Sequence, residues 1–161
     1  MTLDQVNVLS QQDAERELLR CCGSREWTRL MVAARPFESV AALCGEAERI
    51  WWTGGPADWL EAFGAHPKIG ERTANSEWAA QEQAEVNSAT ASTVAGLVDA
   101  NEQYFSKFGH IFIVCATGKS GEELLSILRT RLRNDPGDEL RIAATEQSKI
   151  IRIRLNKLVT A

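Results

Sequence analysis

Apolar residues recur three and four apart along almost the whole chain, which is the spacing of one face of a helix. From about residue 13 to 33, Leu18, Leu19, Trp27, Leu30 and Met31 fall at helix-compatible steps. Arg35-Pro36-Phe37 breaks that segment, because the residue before a proline resists helical angles. A second helix is expected over 38–52, stopped by Thr53-Gly54-Gly55-Pro56. Pro56 suits the first turn of a short third helix through Phe63. Gly64-Ala65-His66-Pro67-Lys68-Ile69-Gly70 reads as a loop, and a long helical pattern follows from about Ser76 to Tyr104, with Gly96 a candidate interruption. Leu124, Leu128 and Leu132 define an amphipathic helix over 121–133, ended by the turn chemistry of Asn134-Asp135-Pro136-Gly137. A last helix over about 138–158 puts Leu140, Ala143, Ala144, Ile151, Leu155 and Leu158 on one side.

One run departs from this period. Ile111-Phe112-Ile113-Val114-Cys115-Ala116, bounded by Gly109 and Thr117-Gly118, is β-branched and apolar and favours an extended backbone. A single such run makes no sheet. The expectation is therefore an all-α bundle of about seven to nine helices. It forms a single domain over 1–161, with one buried extended segment near 111–116.

With 44% apolar and 25% charged residues, the 161-residue chain has the composition of an ordinary globular domain. A formal net charge of −4 gives no general attraction to nucleic acid or to an anionic membrane. No apolar run approaches the ~20 residues of a membrane-spanning helix. The start, Met1-Thr2-Leu3-Asp4-Gln5, lacks the basic and apolar regions of a secretory signal, and Leu158-Val159-Thr160-Ala161 is not a peroxisomal address. A cytoplasmic enzyme or binding domain remains. Cys21, Cys22, Cys44 and Cys115 show no CxxC spacing and read as ordinary buried thiols. With only His66 and His110 besides, no segment has the spacing of a metal site.

Some motifs fail on inspection. Thr117-Gly118-Lys119-Ser120 ends like a phosphate-binding loop, but Ile113 stands where the earlier glycine belongs. No Gly-x-Ser-x-Gly elbow occurs. Trp27, Trp51, Trp52, Trp59 and Trp78 lie at helical positions and read as core or interface anchors.

Three polar residues stand where the pattern calls for something else. Glu82 falls in the middle of an arc roughly 80° wide set by Trp78, Val86, Ala89 and Thr93, taking ~100° per residue. It is either a partly exposed carboxylate on a weakly amphipathic helix or a charge with a partner, since an unpaired buried charge costs several kcal/mol. Arg154 projects within roughly 40° of the centre of the last helix's apolar arc. It is either a stem covering the core edge or a fixed guanidinium whose fork suits a planar polar group. His66 sits in a Gly-Ala-His-Pro loop, where it is either simply exposed or one of the groups that rigid scaffolds present from loops. His110, beside Gly109, has the same ordinary reading and a weaker case.

In order and spacing, these residues resemble the 2-oxo-4-hydroxy-4-carboxy-5-ureidoimidazoline (OHCU) decarboxylase family. The resemblance includes Arg35-Pro36-Phe37, Ala65-His66-Pro67-Lys68-Ile69-Gly70 and Trp78 followed by Glu82-Gln83. It continues through Asn101, Tyr104, Phe108-Gly109, Phe112 to Ala116, Asn134, Glu139, Glu146 and Lys149-Ile150 to Arg154-Leu155. It implies an all-α, homodimeric enzyme without a cofactor. Its small-molecule substrate is OHCU, decarboxylated stereospecifically to (S)-allantoin after urate oxidation and hydrolysis of 5-hydroxyisourate. The family's catalytic histidine, carboxylate and arginine fall on His66, Glu82 and Arg154. Substrate contacts fall on Pro67, on the 79–83 stretch with Ala79 and Gln83, and on Phe112, Ile113, Val114, Cys115 and Ala116. Ala79 stands where the family usually has a serine, and the interval from His66 to Glu82 is shorter than in some members. Two other classes are weighed against this one: a non-catalytic helical interaction module, and a lyase or isomerase acting on a related ureido or imidazole acid.

Overall fold

The structure, a computed structural model, describes residues 1–67 and 90–160. Among these it has eight helices and no strand, the all-α class expected from the periodicity. They are α1 (Leu3–Val8), α2 (Gln11–Cys21), α3 (Arg25–Ala33), α4 (Val40–Thr53), α5 (Pro56–Gly64), α6 (Ala91–Phe108), α7 (Gly121–Arg131) and α8 (Pro136–Leu158). No described helix is long and apolar enough to cross a membrane. The described residues sort into two compact units, one of 1–62 with 148–160 and one of 63–67 with 90–147.

Helix starts are set by hydroxyl side chains. Thr2, Ser10, Ser24, Ser39, Thr90 and Ser120 each accept a first-turn backbone N–H. Such caps stabilise a helix by about 1 kcal/mol each. Two of them correct the sequence reading. The segment expected as one helix over 13–33 is α2 and α3, because Ser24 caps a new helix on the Trp27 amide and Cys22 ends the old one in an extended conformation. The pattern expected from Ser76 to Tyr104 is broken at Thr90, which is extended, and runs unbroken through Gly96. A Cβ on Gly96 would stand 3.0 Å from Leu125, so this glycine serves the close approach of α6 to α7. Helix α1 had no counterpart in the sequence reading.

In the first unit, α2 packs on α3 and α3 on α4. The indoles are tied down as well as buried: Trp27 Nε1 donates to the Ala47 carbonyl at 3.0 Å and Trp59 Nε1 to that of Trp51 at 3.1 Å. Trp27, Trp51 and Trp59 are buried, Trp52 is exposed, and Trp78 lies outside the described residues. Arg35-Pro36-Phe37 acts as a strap for the N-terminus. Arg35 Nη1 donates to the Val6 and Leu9 carbonyls, and the Asn7 amide exchanges two hydrogen bonds with the backbone of Phe37. All four cysteines are free and buried, as their spacing suggested.

The second unit is built on α6, α7 and the segment between them. Leu97, Ala100, Tyr104, Phe112, Leu124, Leu125 and Leu128 form one buried cluster. Gly109 ends α6 with φ +76°, a left-handed angle that glycine adopts without steric cost. The chain then runs without helix or strand from 111 to 116, with Phe112, Ile113 and Cys115 buried and Val114 and Ala116 half-buried. His110 is buried rather than exposed, with its ring against Phe63, Tyr104 and Phe108 and Nδ1 3.0 Å from the Ile111 carbonyl. It is a core histidine.

Candidate active site

A buried ionic network fixes the extended segment. Glu139, fully buried on α8, receives the Tyr104 hydroxyl at 2.6 Å, the Nε–H of Arg131 at 2.7 Å and the Asn134 amide at 3.0 Å. Arg131 Nη2 lies 2.6 Å from the same Glu139 oxygen but is not aligned to hydrogen-bond with it. Arg131 Nη1 donates to the Ile113 carbonyl at 2.6 Å, and its guanidinium lies over the Phe112 ring at 4.5 Å. Tyr104 keeps its proton: burial, then its bond to Glu139, pushes its ionisation well above the usual phenol range. The run resists helix because its carbonyls are already engaged. Ile113 is held by Arg131, and the Cys115 carbonyl by Lys119 Nζ at 3.0 Å.

Of the amides of 113–116, that of Cys115 is engaged by a side chain. Its N–H donates to Glu146 Oε1 at 3.2 Å, because α8 brings a carboxylate against that peptide. Among the described residues, no acceptor takes the amides of Ile113, Val114 or Ala116.

His66 follows the end of α5, its N–H donating to the Phe63 carbonyl at 3.1 Å. The ring is half-buried, and Pro67 beyond it likewise. His66 Nε2 lies 2.6 Å from Oε1 of Gln147, a side chain with no exposed surface. Among the described residues the Gln147 Nε2 amide has no hydrogen-bond partner, which costs about 1–3 kcal/mol for a buried donor. Consecutive residues of α8 therefore hold the two parts of the candidate site: Glu146 the Cys115 peptide and Gln147 the His66 imidazole.

Arg154 belongs to the other unit. It is half-buried on α8, with Nη1 3.4 Å from the Arg20 carbonyl near the end of α2. Its charge acts on the Cys21 and Cys22 thiols, whose ionisation burial nevertheless pushes up to about 12. Glu82, Ala79 and Gln83 lie outside the described residues. Among the described residues, no group of three His, Cys, Asp or Glu has the arrangement of a metal site. A cavity of about 120 Å³ in the first unit, lined by Cys44, Glu48, Trp51, Lys149 and Arg152 among others, includes none of the candidate residues.

Gln147 is the residue that the sequence reading missed, and the signal for it was present. Taking ~100° per residue, it falls roughly 30° from the centre of the arc that singled out Arg154. Glu146 and Glu139 entered only as positions of family resemblance, since both project away from that arc and owe their surroundings to tertiary packing.

Comparison with known proteins adds an independent line. The uric acid degradation bifunctional protein TTL of Arabidopsis thaliana is 40% identical over 93% of this chain and 48% of its own length. The 2-oxo-4-hydroxy-4-carboxy-5-ureidoimidazoline decarboxylase of Amia calva is 36% identical over 57% of this chain and 52% of its own length. This chain thus spans about half the length of these curated relatives. A crystal structure of OHCU decarboxylase in the presence of (S)-allantoin superposes with a TM-score of 0.81 at 38% identity, covering 90% of this chain and 98% of that one. The family described as OHCU decarboxylase matches residues 7–156, and the chain belongs to that family.

Proposed function

We propose that this protein decarboxylates OHCU to (S)-allantoin, as one domain over 1–161, without a cofactor, as a cytoplasmic homodimer. The observation that carries the reading is the pairing on α8, where Gln147 and Glu146 hold an imidazole and an extended backbone segment within one unit of a chain of this family.

The chemistry asks little beyond what these residues supply. When the bond to the carboxylate breaks, its electron pair moves into the substrate's ring imine, giving an enamine-like species and releasing CO2. A proton then adds to carbon on one face, which fixes the configuration. His66 is the acid, and a positioned proton transfer of this kind contributes 10²–10⁴-fold, in order of magnitude. Glu82 orients His66 or accepts the N–H groups of the ureido and ring portions. Arg154 engages an anionic or carbonyl oxygen with its fork. Pro67, Ala79, Gln83 and the run Phe112, Ile113, Val114, Cys115 and Ala116 form the binding wall. There the amides of Ile113, Val114 and Ala116 face developing negative charge, while Cys115 contributes its side chain and its fixed position.

The test is circular dichroism of freshly generated 5-hydroxyisourate, with its hydrolase and then this protein added. Rapid appearance of optically active allantoin is expected. Slow, racemic product would remove the decarboxylase reading and favour a non-catalytic module or another substrate.

A further inference from the structure

We propose that Gln147 determines which nitrogen of His66 carries the proton, and hence which nitrogen delivers it. Gln147 is a positioning residue in this role, acting through the imidazole and not on the substrate. The inference rests on the reading of His66 as the acid, but its structural half stands apart from that reading.

An amide oxygen only accepts, so with Gln147 Oε1 2.6 Å away, His66 Nε2 must be the donor. In the neutral ring the proton therefore sits on Nε2, and Nδ1 is the basic nitrogen. In the imidazolium, Nε2–H stays bonded to Gln147 and the proton that departs is the one on Nδ1. A reversed amide would set its N–H₂ against a ring N–H whenever the ring is charged, and an acid must be charged before it acts. The oxygen-inward orientation is the one compatible with proton donation.

Among the described residues, Gln147 Nε2 is buried without a hydrogen-bond partner, a cost that works against a purely stabilising role for the side chain. A purely structural glutamine at a fully buried position would satisfy both ends of its amide. Here the amide oxygen is committed to His66 and the other end goes without. Gln147 is also well fixed: it lies on α8 with Ala143, Ala144 and Ile151 buried three and four residues away. A loop imidazole thereby takes its orientation from a helix interior. Replacing Gln147 with an apolar residue of similar size removes an unsatisfied donor, so the fold should tolerate it while His66 Nε2 loses its bond to the Gln147 oxygen.

The deciding experiment is long-range proton–nitrogen NMR of the His66 ring in the full chain, above the pH at which the ring titrates. Wild type should show the Nε2–H tautomer in about tenfold excess, the bias that one buried hydrogen bond supports. Gln147→Met should give a mixture of tautomers at unchanged or higher thermal stability, and kcat should fall by roughly ten- to a hundredfold with KM little changed. Gln147→Glu, which keeps an oxygen opposite Nε2, should retain the Nε2–H tautomer. An Nδ1–H tautomer in wild type, or a spectrum unmoved by Gln147→Met, overturns the proposal. So does loss of the Nε2–H form in Gln147→Glu. Because the spectrum needs no substrate, wild type that shows the expected tautomer but makes no allantoin would remove the decarboxylase reading and leave the tautomer assignment standing.

Discussion

The carboxylate of Glu139, with no exposed surface, lies 2.7 Å from Arg131 Nε, and Arg131 in turn holds the Ile113 carbonyl at 2.6 Å. A charge pair buried this deeply is a weak source of net stability, but removing one partner strands the other. Glu139→Ala should destabilise the fold by about 3–5 kcal/mol in urea unfolding. The double variant Arg131→Met/Glu139→Leu should recover most of that loss. Its decarboxylation should still be impaired, because the 112–113 backbone loses its clamp. A double variant as unstable as the single would show that stranded charge is not the cause.

Arg154→Lys separates a guanidinium fork from a positive charge. If the fork engages substrate, a point ammonium loses one charge-assisted hydrogen bond, and kcat/KM should fall roughly ten- to a hundredfold. Wild-type kinetics would leave Arg154 as a stem at the core edge.

Alkaline pH should weaken the fold through its thiols. Burial pushes Cys21 and Cys22 from their ordinary 9.0 up to about 12. Above 9.0 the unfolded chain releases these protons while the folded chain keeps them, so the unfolded state binds fewer protons and stability falls as pH rises. Tyr104, shifted upward as well, acts in the same direction. Denaturant unfolding between roughly pH 8 and 10.5 should show a level region and then a decline of up to about 1.4 kcal/mol per pH unit per thiol. Cys21→Ala/Cys22→Ala should flatten that decline, and an unchanged slope in the double variant would contradict it.

Much of this architecture was legible in the residue pattern, for identifiable reasons. The leucines of α7, the turn at 134–137 and the β-branched run at 111–116 are local signals, and local signals suffice for them. Ser24 was missed as a boundary because the apolar period continues across it, and the break shows in the extended Cys22 and in the Ser24 capping bond to Trp27. Glu146 was opaque as a functional position because the Cys115 peptide it holds lies 31 residues away, and Glu139 because Tyr104, one of its three hydrogen-bond donors, lies 35 residues away. His110 looked exposed from its neighbours in sequence and is buried by aromatic rings from other elements. The pairing of His66 with Gln147 spans 81 residues, and the arc that contained Gln147 carried no sign of which histidine it meets.

The central claim is that His66 delivers the proton that sets the product's configuration. Its most direct test compares wild type with His66→Asn, measuring the enantiomeric composition of allantoin formed from freshly generated substrate, with far-UV circular dichroism of each protein as control. The expected result is (S)-allantoin from wild type and only slow, racemic product from His66→Asn at unchanged helix content. Formation of (S)-allantoin by His66→Asn at the wild-type rate would contradict it.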